Sequence, residues 1–195
     1  IFKLRREGVK VFSIETIDDR DKSVAKFFAN YDMTKVAIVG RRLFAKTAIE
    51  QFCKITGARP YIGRFIPGKF TNTTAKNFFE PELVFIVESN LDKQAIAEAN
   101  ILHIPVIALS STNNETNGID LVIPSNNKGK KSVALIFWLL TREYQFVKGI
   151  IKSRNDFSHK VEEFEYTGKE KPIRQDDRRD NRDRRGARRN FIKRR

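Results

Sequence analysis

The chain has one cysteine, Cys53, in 195 residues. An intramolecular disulfide is excluded, which fits a reducing compartment, and Cys53 reads as a small buried hydrophobe. One cysteine and two distant histidines, His103 and His159, do not make a zinc set. No apolar run approaches the roughly 20 residues of a membrane-crossing helix. The opening "IFKLRREGVK" lacks the apolar centre of a secretory signal. No G-x-G-x-x-G follows an apolar run, so a dinucleotide fingerprint is missing. "ALSS" lacks the flanking glycines of a nucleophile elbow. Glu88, after "LVFIV", reads as an acid closing a strand rather than a metal ligand. Nothing assembles an acid, a base and a nucleophile. The expectation is a soluble cytoplasmic protein with no catalytic residue, metal, cofactor, membrane contact or small-molecule substrate. The chain does not begin with Met, so residues are expected to precede Ile1.

Positive charge is what the sequence has in excess, at a formal +14. That balance concerns partners rather than fold, and nucleic acid is its commonest cause. The charge is uneven. Residues 174–195 hold eleven basic and four acidic residues, whereas 151–173 balance. The run "RQDDRRDNRDRRGARRNFIKRR" is low in complexity and cannot bury a core. Its arginines, Arg178, Arg179, Arg182, Arg184, Arg185, Arg188 and Arg189, suit phosphate or protein contacts and folding coupled to RNA binding. A solvated tail that pairs its own Arg and Asp is the plainer reading.

Upstream, apolar runs alternate with helical patterns. "VKVFSIE" (Val9 to Glu15), "KVAIVG", "RPYIG", "PELVFIVES", "IPVIALS" and "IDLVIP" read as strands. "TIDDRDKSVAKFFANY", "LFAKTAIEQFCKITG", "DKQAIAEANILH" and "KKSVALIFWLLTREYQFVKG" read as helices. In the second, Leu43, Phe44, Ile49, Phe52 and Ile55 are expected to face the core, with Gly57 as the stop. Ser89 or Asn90 is expected to cap the third. Uniformly apolar strands alternating with helices predict a doubly wound α/β fold whose mainly parallel sheet is covered on both faces. Residues 1–149 form the predicted domain and 150–195 a polar to Arg-rich extension.

Ligands gather at the carboxyl ends of such strands. The loops expected there carry Lys or Arg at four of five places. "GRRLFAKT" follows a strand and opens a helix as a phosphate loop does, but Ala45 stands where G-x-x-x-x-G-K-[ST] requires its second glycine. Arg41, Arg42 and Lys46 then read as cations facing a polyanion, or as a solvated turn. In "PSNNKGKKS", Asn126 and Asn127 offer short polar groups. Lys128, Lys130 and Lys131 crowd a helix start against its macrodipole, which an anion would relieve. "GRFIPGKFTN" sets Arg64, Lys69 and Asn72 on a loop shaped by Gly63, Pro67 and Gly68. It reads as a packed loop, a substrate lid or an RNA clamp. Phe65 and Phe70 are its anchors in the first case and wedges into a partner in the last.

Together "GRFIPGKFTN", "EPELVFIVESNLDKQAIAEANILHIPVIALSST", "IDLVIPSNNKGKKSVALIFWLLTRE" and "AIVGRR" resemble the universal small-subunit ribosomal protein S-two family, over roughly residues 1 to 149. "GRFIPG" and "NNKGKKS" place the resemblance in its archaeal and eukaryotic branch. The run from "SIET" to "VAIVG" has no room for the helical insertion expected of a bacterial member. The resemblance implies a flavodoxin-like α/β domain that binds small-subunit rRNA and neighbouring ribosomal proteins, supports assembly and translation, and performs no catalysis. The motif positions it carries over are Arg41 and Arg42, Gly63 to Asn72, and Asn126 to Ser132. The family usually carries a further N-terminal segment, which is expected to precede Ile1, and the Arg-rich end contrasts with the acidic tail of eukaryotic members, which favours an archaeal source. A phosphate-loop nucleotide hydrolase and an extra-ribosomal nucleic-acid binder are the competing readings.

Overall fold

The computed structural model describes residues 2–6 and 9–168. The tail arginines from Arg178 to Arg189 lie outside the described residues. Two short strands, β1 (Phe2–Arg6) and β2 (Val9–Phe12), pair antiparallel as a separate ribbon. The strand expected over Val9 to Glu15 is therefore shorter and stands apart from the main sheet. Ser13 takes the N-cap position, so Ile14 and Glu15 enter helix α1 (Ile14–Ala29).

The main sheet comprises β3 (Val36–Gly40), β4 (Arg59–Ile62), β5 (Leu83–Ile86), β6 (Val106–Ser110) and β7 (Leu121–Pro124). All four pairings are parallel, in the order β4-β3-β5-β6-β7. Helices α2 (Lys46–Thr56), α3 (Lys93–Ile101) and α4 (Lys130–Val147) complete the fold. This is the expected doubly wound α/β architecture. β3, β5 and β6 are apolar at nearly every position because both sheet faces are covered.

The two faces are covered differently. Alternate strand residues Ile38, Phe85, Ile107, Leu109 and Ile123 pack with Val24 and Phe28 of α1, Ile49 and Phe52 of α2, and Phe137 and Leu140 of α4. Phe28 and Phe137 meet the Phe85 ring at 5.7 Å between centroids. On the opposite face, Ala37, Val39, Val84, Ile86, Val106 and Ala108 pack with Ala95, Ile96 and Ala99 of α3 and with Phe65 and Phe70. The β4–β5 connection thus supplies the second half of a layer that a helix would otherwise provide.

Leu43, expected in the core, is 61% exposed. It begins a 3-10 turn, Leu43–Ala45, whose three-residue repeat turns it away from the stripe that α2 buries through Ile49 and Phe52. Gly57 ends α2 in the left-handed conformation, as expected. The N-cap of α3 is Asp92 rather than Ser89 or Asn90. Those two instead hold the following loop. Ser89 donates to the Glu115 carbonyl, and Asn90 exchanges bonds with the Asn113 carbonyl and the Glu115 amide.

Packing also continues past Gly149, where the domain was expected to end. Phe164 is fully buried among α2 and α4 residues. The Trp138 indole donates to the His159 carbonyl at 2.7 Å, and Arg154 grips Glu143 through three hydrogen bonds. Residues 150–168 are a strap over the domain, although their composition is mostly polar.

Candidate nucleic-acid interface

The carboxyl ends of the parallel strands run directly into the N-termini of α2, α3 and α4, so orphan amides and positive dipole ends collect at one end of the sheet. The loops there carry most of the cations singled out above. Their environments sort them into two groups.

Some are committed to the fold. Arg42 leaves β3 and binds Glu88 after β5 with two hydrogen bonds, Nε at 2.6 Å and a second nitrogen at 3.1 Å. Glu88 is 4% exposed, and its carboxylate holds the Arg42 pKa above the usual guanidinium value. Lys46 lies 3.7 Å from Glu50, one turn along α2, an exposed pair. Lys69 stands over the Tyr61 ring at 4.7 Å.

Others are exposed, and their side chains carry no hydrogen bond or ion pair among the described residues: Arg41, Arg64, Lys128, Lys130 and Lys131. Lys130 and Lys131 occupy the first turn of α4, which has no acidic residue. Asn126 is exposed and accepts from the Lys128 amide, which folds the turn before that helix.

Asn127 is different. It is fully buried, and its amide group donates to the Val87 carbonyl at 3.2 Å and the Leu109 carbonyl at 3.1 Å. It stitches the carboxyl ends of β5 and β6 and offers no surface to an outside ligand. The short polar side chain read as a phosphate contact is spent on strand-end carbonyls that have no ladder partner.

The loop from Gly63 to Asn72 is anchored rather than splayed. Phe65 is 7% exposed and Phe70 is 1% exposed, with ring centroids 4.8 Å apart. Tyr61 stacks edge-on against Phe70 at 5.7 Å. Gly63 and Gly68 have φ of 87° and 85°, conformations that a side chain would strain. Pro67, between them, is exposed. Asn72 accepts from the amide and hydroxyl of Thr74 and so closes the following turn. With the rings inside, Arg64 is left outside at the sheet's carboxyl end.

Two residues not singled out in the sequence organise this region. Glu98 of α3 accepts hydrogen bonds from the backbone amides of Gly68 at 2.7 Å and Phe70 at 3.1 Å. Asp92 lies 1% exposed beside Arg41. Burial pushes its carboxyl up to about 6; the Arg41 amide and charge oppose that push, and Glu88 adds to it. The motif "SNLD" resembles any loop-to-helix junction, and Glu98 resembles any helical surface acid, so neither carried a signal.

The "GRRLFAKT" turn has the wrong form for a phosphate cradle. Ala45 is fully buried in the 3-10 turn, and the Lys46 side chain leans toward Glu50. A cradle needs successive amides curled around an anion by a glycine. Among the described residues, no group of three or more His, Cys, Asp or Glu could hold a metal ion, and no helix is long and apolar enough to cross a membrane.

A family model described as Ribosomal protein S2 matches residues 75–146. The chain is 39% identical to the small ribosomal subunit protein uS2 of Staphylothermus marinus over 165 residues, 85% of this chain and 75% of that protein. It is 42% identical to the protein of the same name from Pyrobaculum neutrophilum, over 85% of this chain and 80% of that one. The corresponding protein of Methanococcus maripaludis is 40% identical over 159 residues, 82% of this chain and 72% of that one. With archaeal relatives this similar along most of both chains, and with the doubly wound fold in place, the chain belongs to the Ribosomal protein S2 family.

Proposed function

We propose that the chain is a structural constituent of an archaeal-type small ribosomal subunit. It binds small-subunit rRNA through the carboxyl end of its sheet, contacts neighbouring ribosomal proteins there, and supports subunit assembly and translation at the cytoplasmic ribosome. The observation that carries this reading is the set of five exposed, unpaired cations, Arg41, Arg64, Lys128, Lys130 and Lys131, gathered where three helix N-termini meet. Phosphate neutralisation by such groups supplies affinity without requiring a shaped catalytic site. Arg42, Lys46, Lys69, Asn72 and Asn126 shape or screen that surface, and the tail arginines are further candidates for phosphate or protein contacts. The names of the relatives agree with this role.

The test is sedimentation of a lysate that expresses the tagged chain. The chain is expected in small-subunit fractions and is released by high salt. A chain confined to the soluble pool at low salt overturns the reading.

A further inference from the structure

In an open parallel sheet the ligand crevice lies where the strand order reverses. Here β3 is flanked by β4 on one side and β5 on the other, so the reversal falls between the carboxyl ends of β3 and β5. A cavity of about 210 Å³ opens there, with Arg41, Arg64, Phe65, Pro67, Asp92 and Gln94 in its wall. Asp92 is 1% exposed, and neither of its carboxylate oxygens has a hydrogen-bond partner. The Arg41 amide and charge favour the carboxylate, but among the described residues no donor meets either oxygen in full hydrogen-bonding geometry. A buried carboxylate in that condition is costly until donors reach it.

The wall specifies the donor. Arg41, whose charge acts on the carboxylate, and Arg64 line the same cavity, so a cationic side chain is repelled and a group attached to an anion is favoured. Phe65 and Pro67 supply an apolar side. The volume lies below the roughly 300 Å³ where drug-sized pockets begin, so it suits one planar base with its phosphate outside. Guanine alone among the RNA bases presents two adjacent N–H donors, N1–H and N2–H, on its Watson–Crick edge. Adenine, cytosine and uracil each place an acceptor beside their donor.

We propose that this cavity takes one unstacked guanosine of an RNA strand, with the guanine N1–H and N2–H donating to Asp92 and the flanking phosphates on Arg41 and Arg64. Arg41 and Gln94 are exposed rim side chains, Gln94 donating to Glu98 at 3.0 Å, and the base edge reaches the carboxylate by displacing them. The inference rests on the RNA-binding reading and adds a base preference to it.

The experiment uses the full chain and fluorescent RNA pentamers, UUGUU, UUAUU and the inosine form UUIUU, in an anisotropy titration. UUGUU is expected to bind about tenfold more tightly than UUAUU, with inosine, which lacks the 2-amino group, in between. Asp92→Asn, which offers one donor and one acceptor, is expected to lose the guanosine preference and gain one for xanthosine. Equal binding of the three RNAs by the unaltered chain overturns this inference and leaves the ribosomal role standing. Absence of RNA binding at low salt overturns both. Displacement by GMP at a concentration matching the pentamer affinity overturns the assignment to an RNA strand and points to a free nucleotide.

Discussion

Glu98 Oε1 lies 2.7 Å from the Gly68 backbone nitrogen, and its other oxygen lies 3.1 Å from that of Phe70. One carboxylate from α3 therefore holds the loop from Gly63 to Asn72 against the sheet at the point where Phe70 enters the core. Glu98→Ala leaves a buried amide without an acceptor, which costs about 1–3 kcal/mol. The amides of Gly68 and Phe70 are expected to exchange with solvent faster, measured by hydrogen exchange on the free protein. Unchanged protection would remove Glu98 from this role.

Phe65 and Phe70 take the place of helix side chains on that sheet face. Phe70→Ala is expected to destabilise the free protein by about 3–5 kcal/mol, the usual range for a large buried ring. Phe65→Ala should behave similarly and slightly less severely, because Phe65 retains some exposure. Chemical denaturation of the isolated chain distinguishes anchoring from wedging. A wedge would leave stability intact and weaken assembly alone.

The Arg42–Glu88 pair spans the same reversal of strand order. Arg42→Ala strands a buried carboxylate, and the expected cost is about 2–4 kcal/mol because Arg42 is partly exposed. Adding Glu88→Gln should recover part of that loss, since the uncompensated charge goes with it. A double-mutant cycle by urea unfolding measures this. Strict additivity would mean that the two residues do not couple.

The strands of the main sheet were legible because a sheet covered on both faces needs apolar side chains at every position. The runs from Val36 to Gly40 and from Val106 to Ser110 have that form. The basic loops were legible as well, since α/β connection lengths place them at one end. Individual roles were not. Arg42 and Arg41 are adjacent in "GRRLFAKT", yet one is paired with Glu88 and the other is free, a difference set by an acid 46 residues away. Asn127 and Asn126 divide in the same way between strand-end carbonyls and the surface. Phe164 sits in "VEEFEY", where apolar residues interspersed with acids show no helical or strand period that singles it out. Its burial is decided by the space between α2 and α4.

Asp21 of α1 makes stability depend on pH. It is 2% exposed, neither oxygen has a hydrogen-bond partner, and burial, then Asp18 and Glu143, push its pKa up to about 7. Lys22, Arg142 and Arg154 line the same pocket. An acid whose folded pKa exceeds its unfolded value of about 4 contributes stability that is complete below pH 4. That contribution is lost as pH rises through 7. At about 1.4 kcal/mol per unit, the upper bound is near 4 kcal/mol. Asp21→Asn should therefore flatten the fall in unfolding free energy between pH 4 and pH 7. Parallel slopes for the two proteins would show that Asp21 ionises without cost.

On the proposed RNA-binding role, Lys130 and Lys131 set affinity against stability. Both occupy the first turn of α4, where positive charge opposes the helix dipole by about 0.3–1 kcal/mol each. Replacing the pair with Ala should raise the melting temperature of the free chain slightly, because the unfavourable dipole term disappears. The same change should weaken binding to small-subunit rRNA. Each lost phosphate contact lowers the slope of log affinity against log salt by about 0.9 on duplex and about 0.7 on single strands. The affinity should fall on any RNA sequence, since phosphate contacts carry no base information. A gain in stability with an unchanged salt slope would show that the lysines face solvent in the assembled particle.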